Sequence, residues 1–374
     1  MTAQPKLVIG ANGFLGSHVT RQLVTGAAGP ATSGTGAAGP ATSGTGAAGP
    51  ATSEAEGAEV RVMVRPTANT RGIDDLPVTR FHGDIFDSAT LRAAMEGCDV
   101  VYYCVVDTRA WLRDPAPLFH TNVEGLRGVL DIASEKAREG TLKRFVFTSS
   151  YVTVGRHRGV RATEDDMIVR RRLSPYVLSR VQAEDLVLQY VADAGLPAVA
   201  MCVSTTYGGG DWGQTPHGAI IAGAALGKLP FAMSGIALEA VGVDDAARAL
   251  ILAAEHGRNG ERYIISDRMI TNEEVVRIAA EEAGVPPPSR SIPLPAVYCL
   301  AALGSLKGRL RGTDERLTLG SVRLMRAESE VDHSKATREL GWQPRPVEDS
   351  IREAARFWTD LRNAKRKSRA AQSE

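Results

Sequence analysis

A short apolar run, Leu7-Val8-Ile9, opens directly into Gly10-Ala11-Asn12-Gly13-Phe14-Leu15-Gly16. Glycines three apart behind a strand-like run dictate a tight turn into a helix, and the last of them lets that helix lie close against the strand. Such a unit cannot bury both of its faces alone, so the rest of the chain must supply parallel neighbours and covering helices. Strand-like runs follow at Val60–Val64, Val78–His82, Val100–Val106, Phe145–Thr148 and Ala198–Val203. Helical periodicity separates them, near Leu91, over about Leu118–Arg138 and over about Pro175–Ala194. This alternation predicts an α/β fold, a Rossmann-type doubly wound parallel sheet over residues 1–206. Beyond Tyr207 the pattern is irregular, with short helices near Ala246, Asn272, Ala296 and Val347, and predicts a small C-terminal α+β substrate lobe over 207–346. Residues 347–374 read as a final helix and a basic tail, with Val347, Ile351, Ala354, Trp358 and Leu361 on one stripe. The cluster Lys365-Arg366-Lys367 reads as a solvated end that complements the helix dipole.

One segment does not fit this scheme. Gly-Ala-Ala-Gly-Pro-Ala-Thr-Ser-Gly-Thr starts at Gly26, recurs at Gly36 and decays after Gly46. Small and turn-forming residues cannot bury enough apolar surface to offset ordering, so residues 26–57 read as a disordered insertion. It lies between the first helix and the second strand, at the edge of the sheet opposite the ligand-binding edge.

A net charge of +1 over 374 residues leaves no global field for nucleic acid. Cys98, Cys104, Cys202 and Cys299 show no metal-ligand or redox spacing and read as small hydrophobes in a reducing compartment. The longest apolar stretch, about Ile292–Leu306, is too short and too interrupted to span a bilayer. No leader-like stretch precedes Lys6, and a soluble cytoplasmic protein is the expectation.

Backbone N–H groups of the glycine turn can hold a pyrophosphate at the helix N-terminus. Ribose specificity is set at the end of the second strand, where an acid would meet a free 2′-hydroxyl and a cation a 2′-phosphate. Arg65 stands there, which points to NADP(H), with NAD(H) as the lesser option. Asp84, after the third strand and before Ile85, can accept from an adenine amino group or cap the helix starting near Ser88. Farther along, Ser150 ends the fifth strand, and Tyr176 and Arg180 lie one helical turn apart on Pro175–Ala194. Tyrosine there is an acid/base, serine fixes a carbonyl oxygen, and a cation one turn away favours the phenolate.

With these residues in place the chain resembles the extended short-chain dehydrogenases/reductases, on the dihydroflavonol 4-reductase and 3β-hydroxysteroid dehydrogenase side. The matching stretches are Val8–His18, Gly83-Asp84, Asn122-Val123-Glu124-Gly125, Phe147–Gly155, Pro175–Glu184, Tyr207-Gly208, Val243–Ala246 and Leu340-Gly341-Trp342. The resemblance implies that Ser150 and Tyr176 are catalytic, that Asn122 is the fourth active-site member, and that Arg180 replaces the usual lysine at the nicotinamide ribose. It places Gly10, Asn12, Gly13, Phe14, Leu15, Gly16, Ile85, Cys104, Val105, Val106 and Val203 around the cofactor, and gives Asp245 a structural role. Three positions depart from the family pattern: Ile9 before the first glycine, Cys104-Val105-Val106 after the fourth strand, and Arg180. Arginine keeps the charge but cannot give up a proton.

The expected activity is an NADP(H)-dependent interconversion of a ketone or aldehyde and an alcohol on a small, largely apolar substrate. Trp111 sits on a loop at the ligand edge, as a substrate flank or a loop anchor. The segment 292–303 reads as substrate contact or as core packing of the small lobe. A nucleotide-sugar epimerase or dehydratase with tightly bound NAD(H), and a non-catalytic NADP(H)-binding sensor, are the competing expectations. In similar proteins the helices from Leu118 and Pro175 pair subunits, which allows a homodimer.

Overall fold

The computed structural model describes residues 4–26, 58–155, 159–171, 173–324 and 330–371. Apart from Gly26, the repeat insertion lies outside the described residues. Seven strands form one parallel sheet: β1 (Lys6–Ile9), β2 (Val60–Val64), β3 (Thr79–His82), β4 (Val100–Tyr103), β5 (Arg144–Ser150), β6 (Ala198–Val203) and, after a further run of chain, Arg262–Ile265. The order across it is Arg262–Ile265, β6, β5, β4, β1, β2, β3. The direction of winding reverses between β1 and β4, so their carboxyl ends splay and leave a crevice.

Strand side chains alternate strictly, and both faces are covered. Leu7, Phe145, Phe147, Ala198 and Ala200 enter one core cluster with Leu91, Leu130 and Val187 from helices on that side. Val8, Val62, Val146, Val199 and Met201 enter the other, with Val19, Leu250 and Trp342. Burial on both faces explains why these strands read as unbroken apolar runs. Among the covering helices are α1 (Phe14–Thr25), α2 (Ser88–Met95), α3 (Ala116–Phe119), α4 (Leu126–Arg138) and α5 (Pro175–Ala194). Ser174 caps α5 by accepting from the Val177 N–H, and Pro175 occupies its first turn.

Several expectations change in detail. The fourth strand stops at Tyr103, because Cys104–Val106 leave the ladder to line a cleft. The expected helix Leu118–Arg138 is broken by a π-helical turn, His120–Gly125, between α3 and α4. The edge strand Arg262–Ile265 had gone unread among the irregular C-terminal pattern.

The chain beyond β6 builds β7 (Thr205–Tyr207), α6 (Pro216–Ala225), β8 (Ala232–Met233), β9 (Ala237–Gly242), α7 (Val243–His256), β10 (Arg262–Ile265, the edge strand above), β11 (Arg268–Thr271) and α8 (Asn272–Glu282). It closes with β12 (Ser291–Ile292), α9 (Leu294–Arg311), α10 (Leu319–Leu324), α11 (Ser334–Leu340) and α12 (Val347–Ala371). β7 and β11 flank β9 in a three-stranded sheet, parallel and antiparallel respectively. Far from being short, α9 runs 18 residues and α12 runs 25. The predicted stripe of α12 is buried from Val347 through Trp358, against α6 and α8, while Lys365–Lys367 are exposed. Asp245 is structural: it pairs with Arg248 (3.0 Å) and Arg345 (3.3 Å), and its carbonyl accepts from the buried Trp342 indole (2.8 Å).

Candidate active site

The glycine turn is set by close approach rather than by side chains. A Cβ on Gly16 would lie 2.3 Å from the Gly10 carbonyl oxygen, and Gly10 itself adopts φ +86°, a left-handed conformation. Gly13 N–H donates to the Gly10 carbonyl (3.0 Å), which aims the start of α1 at the crevice. The crevice is a cleft of about 520 Å³, lined among others by Ile9, Gly10, Asn12, Gly13, Arg65, Asp84, Ile85, Cys104, Val105 and Val106. Thus ten expected positions and departures converge on it. Phe14, Leu15 and Gly16 do not line it: Phe14 stacks edge-on to His18, and Leu15 packs on the sheet core. Val203 lines a different cavity.

Arg65 is exposed at the end of β2 and forms no ion pair or side-chain hydrogen bond among the described residues. Asp84 is not the helix cap. Asp87 caps α2 by accepting from the Thr90 N–H (3.1 Å), whereas Asp84 accepts from the Phe86 N–H (3.2 Å) and faces the cleft.

A second cavity, about 430 Å³, lies beside the first, and Thr108 lines both. Ser150, Tyr176 and Val203 line it, together with Trp111, Thr206, His217, Ile220, Leu238, Arg316, Leu317 and Leu324. Ser150 lies at the carboxyl end of β5 and Tyr176 in the first turn of α5, so the two hydroxyls meet over one space. Burial pushes the Tyr176 phenol up from its ordinary value, opposed by the Arg180 charge and by the Ser150 hydroxyl. His217 is pushed down to about 4 by burial and stands edge-on to Tyr207. Trp111 both lines the cavity and carries the Arg316 guanidinium over its ring at 5.7 Å.

Arg180 lines neither cavity. It is 2 % exposed, its Nη2 donates to the Thr148 carbonyl (2.5 Å), and its guanidinium lies over the Phe147 ring at 5.3 Å. Its Nε and Nη1 are buried without a hydrogen-bond partner among the described residues. Two unsatisfied buried donors are costly in a finished core and are expected where a ligand completes the set.

Asn122 is likewise 1 % exposed and outside both linings. Its Oδ1 accepts from the Asp107 N–H (2.8 Å), and its Nδ2 donates to the Asp107 carbonyl (3.1 Å) and to Ser179 Oγ (3.1 Å). Ser179 Oγ in turn donates to the Tyr176 carbonyl (2.8 Å). The π turn therefore inserts one amide between the cleft loop and the tyrosine helix. Gly125 keeps that turn close to the loop after β3, since a Cβ there would meet Ile85 Cδ1 at 2.4 Å.

Sequence reasoning missed a buried brace behind the hydroxyl pair. Glu184 on α5 accepts from Ser149 and from Thr153 (2.9 Å) and pairs with Arg262 (2.9 Å), whose Nη1 donates to the Glu164 carbonyl (2.7 Å). Glu184 stood inside a matching stretch; Arg262 carried no signal, because its strand was not read. Asp107, Thr108, Thr121 and His217 were also missed.

The glycine cradle and the crevice at the reversal point together fit a dinucleotide. Comparisons agree. The profile of the NAD dependent epimerase/dehydratase family matches residues 41–266. A putative dihydroflavonol 4-reductase of Synechocystis is 27 % identical over 81 % of this chain and 88 % of its own. Sterol demethylase protein B of Methylococcus capsulatus is 26 % identical over 95 % and 98 %. A 4-hydroxy-2-methyl-3-oxo-4-farnesyl-3,4-dihydroquinoline-1-oxide ketoreductase of Stigmatella aurantiaca is 27 % identical over 80 % and 90 %. Among solved structures, gox2253 superposes with a TM-score of 0.76 at 29 % identity, covering 96 % of this chain and 99 % of that one. The Thermotoga maritima UDP-glucose 4-epimerase superposes at 0.71 with 19 % identity over 96 % and 99 %, a likeness of fold. A sheet that reverses at a glycine turn, matched over most of its length by family profile and by structure, identifies an NAD(P)-dependent enzyme of the NAD-dependent epimerase/dehydratase family, the extended short-chain dehydrogenases/reductases.

Proposed function

We propose that the chain is an NADP(H)-dependent oxidoreductase that interconverts a carbonyl and an alcohol on a small, largely apolar substrate. The observation that carries this reading is the shared wall: Tyr176 and Ser150 line an apolar cavity that meets the dinucleotide cleft at Thr108. On this reading residues up to 206 bind the coenzyme, and those from 207 to 346 supply most of the substrate contacts.

When bound, the nicotinamide supplies or accepts the hydride. The chain's own residues handle the oxygen and its proton. In the reducing direction the Tyr176 phenol donates its proton to the carbonyl oxygen, and burial keeps that phenol protonated at neutral pH. Ser150 Oγ–H donates a hydrogen bond to the same oxygen. Arg180 favours the phenolate electrostatically from beneath, with no proton relay. Asn122 positions rather than reacts, since both ends of its amide are occupied. Arg65, without an ion pair among the described residues, would meet the 2′-phosphate of NADP(H).

Reductase-named relatives support this chemistry over epimerisation. Among the described residues the cavity wall also offers one cation, Arg316, already held over Trp111, where a sugar nucleotide's diphosphate needs several donors. The test is a panel of apolar ketones and aldehydes beside UDP-glucose, read by NADPH oxidation and by product analysis. Consumption of NADPH with an apolar carbonyl is expected. Epimerised UDP-glucose with no net coenzyme consumption would refute the proposal.

A further inference from the structure

The segment 292–303 was expected to contact substrate or fill the small lobe's core, and most of its helix does neither. Along α9, Val297, Ala301 and Gly308 are buried on one side. The opposite side carries Cys299, Leu303, Leu306 and Leu310 at helical spacing, all exposed: Leu303 is 62 %, Leu306 54 % and Leu310 78 % exposed, with Leu300 beside them at 42 %. These leucines account for four of the ten exposed large hydrophobics among the described residues. Scattered single leucines need no explanation, but a row on one helix face marks an interaction surface.

We propose that this face of α9 docks on the surface of an anionic lipid bilayer. Leu294–Leu306 contains no charged residue, and the last turns then carry Lys307, Arg309 and Arg311 at the margins of the stripe. Lys307 pairs with Glu315 (2.7 Å), and Asp314 accepts from the Arg113 backbone N–H (3.0 Å). Among the described residues Arg309 and Arg311 form no ion pair and are exposed, so the margin is net basic. An apolar stripe edged by long cations is the pattern of a helix lying in the headgroup region, leucines down and guanidinium groups outward. No helix among the described residues is long and apolar enough to cross a membrane, so this one lies on the surface. A second copy of the chain is a poorer occupant: however two stripes are paired, neither offers a carboxylate on its exposed apolar face to meet the other's Arg309 and Arg311.

α9 carries the stripe on one side and packs against the wall of the apolar cavity on the other. α10 packs against α9, and its Ser321 and Leu324 line the cavity with Arg316 and Leu317 of the connecting turn. The Leu317 carbonyl seats directly on Gly304 of α9, where a Cβ would lie 2.2 Å away. A docked α9 therefore holds the cavity wall about one helix diameter, roughly 10 Å, from lipid. That the cavity is fed from the bilayer rests on the apolar-substrate reading above; docking does not, and is measured without substrate or coenzyme.

The experiment is vesicle flotation of the full chain, with phosphatidylcholine alone and with about one-third phosphatidylglycerol. The wild type should float with the anionic vesicles and not with the neutral ones. Each surface cation is worth about 1 kcal/mol near such a membrane, so Arg309→Gln with Arg311→Gln should lower partitioning about thirtyfold. Leu303→Glu with Leu310→Glu should abolish it, with the thermal melt unchanged. Should the leucine variant not fold, an environment-sensitive dye on the exposed Cys299 of the wild type carries the same test, and its emission should shift to the blue on adding anionic vesicles. Absence of flotation and of any dye shift would overturn the proposal. So would a concentration-dependent dimer that Leu303→Glu dissolves.

Discussion

The two cavities that meet at Thr108 are built by different means. The cleft has a floor shaped by backbone. Its floor is one strand, one turn and one helix start contiguous in sequence, and its shape depends on the missing side chains of Gly10 and Gly16. The neighbouring cavity is made of side chains from Thr108–Trp111, Ser150–Val152, Val203–Thr206, Thr215–Ile220, Leu238 and Arg316–Leu324, segments brought together only by the full fold. A floor shaped by close backbone approach tolerates few changes. A mosaic of side chains can be re-lined without disturbing the sheet, which is how one family serves many substrates.

The largest effect expected from breaking this division falls at the seam. Tyr176→Phe removes the acid without altering the cleft, so turnover should fall by about 10²–10⁴-fold while NADPH affinity is held, as read by steady-state rates beside calorimetry. Gly16→Ala should do the reverse of that split. Its methyl group collides with the Gly10 carbonyl, and overpacking of about 1–3 kcal/mol corresponds to roughly a five- to 150-fold loss of coenzyme affinity. An unchanged Kd in the Gly16→Ala protein would mean that the turn does not shape the cleft.

Arg65→Asp sharpens the comparison within the cleft. Loss of a charge-assisted contact of about 1.5–3 kcal/mol should weaken NADPH by about ten- to 150-fold and leave NADH within a few-fold. Equal losses for both coenzymes would remove Arg65 from the 2′-phosphate. The smallest effect is on the cavity side, at His217. Its folded pKa of about 4 lies below the ordinary 6.5, so the unfolded chain binds the proton first as pH falls. The stability tied to neutral His217 is complete above pH 6.5 and is lost progressively toward pH 4. By pH 5 the loss amounts to about 1–2 kcal/mol. His217→Asn should flatten that acid limb in urea melts at pH 7 and pH 5; an unaltered slope would assign the acid sensitivity to other groups.

The same division governs what could be read from the sequence. The sheet, its order of elements and the glycine turn were legible because unbroken apolar runs and spaced glycines are local signals. Gly10, Gly13, Arg65 and Asp84 in the cleft were named from those signals, and the other six cleft positions came from the family resemblance. The second cavity was legible only at Ser150, Tyr176, Val203 and Trp111. His217 sits on a helix whose composition carries no sign of a site, and Arg262, which braces Glu184 behind the hydroxyl pair, belongs to an edge strand that had no turn or repeat to announce it. Arg180 shows the limit differently: its place on the helix was plain, but its retreat beneath β5 onto Phe147 depends on tertiary packing. The leucines of α9 were read as apolar, and apolarity alone did not say that they face outward.

The most direct test of the central claim is calorimetric titration of the purified protein with NADPH and with NADH, after a denatured portion has been checked for copurified coenzyme. The account predicts an empty protein as purified and an NADPH affinity at least about tenfold above that for NADH, the margin of one charge-assisted contact. Tightly held NAD(H), or equal affinity for the two, would contradict it and favour a sugar-nucleotide epimerase.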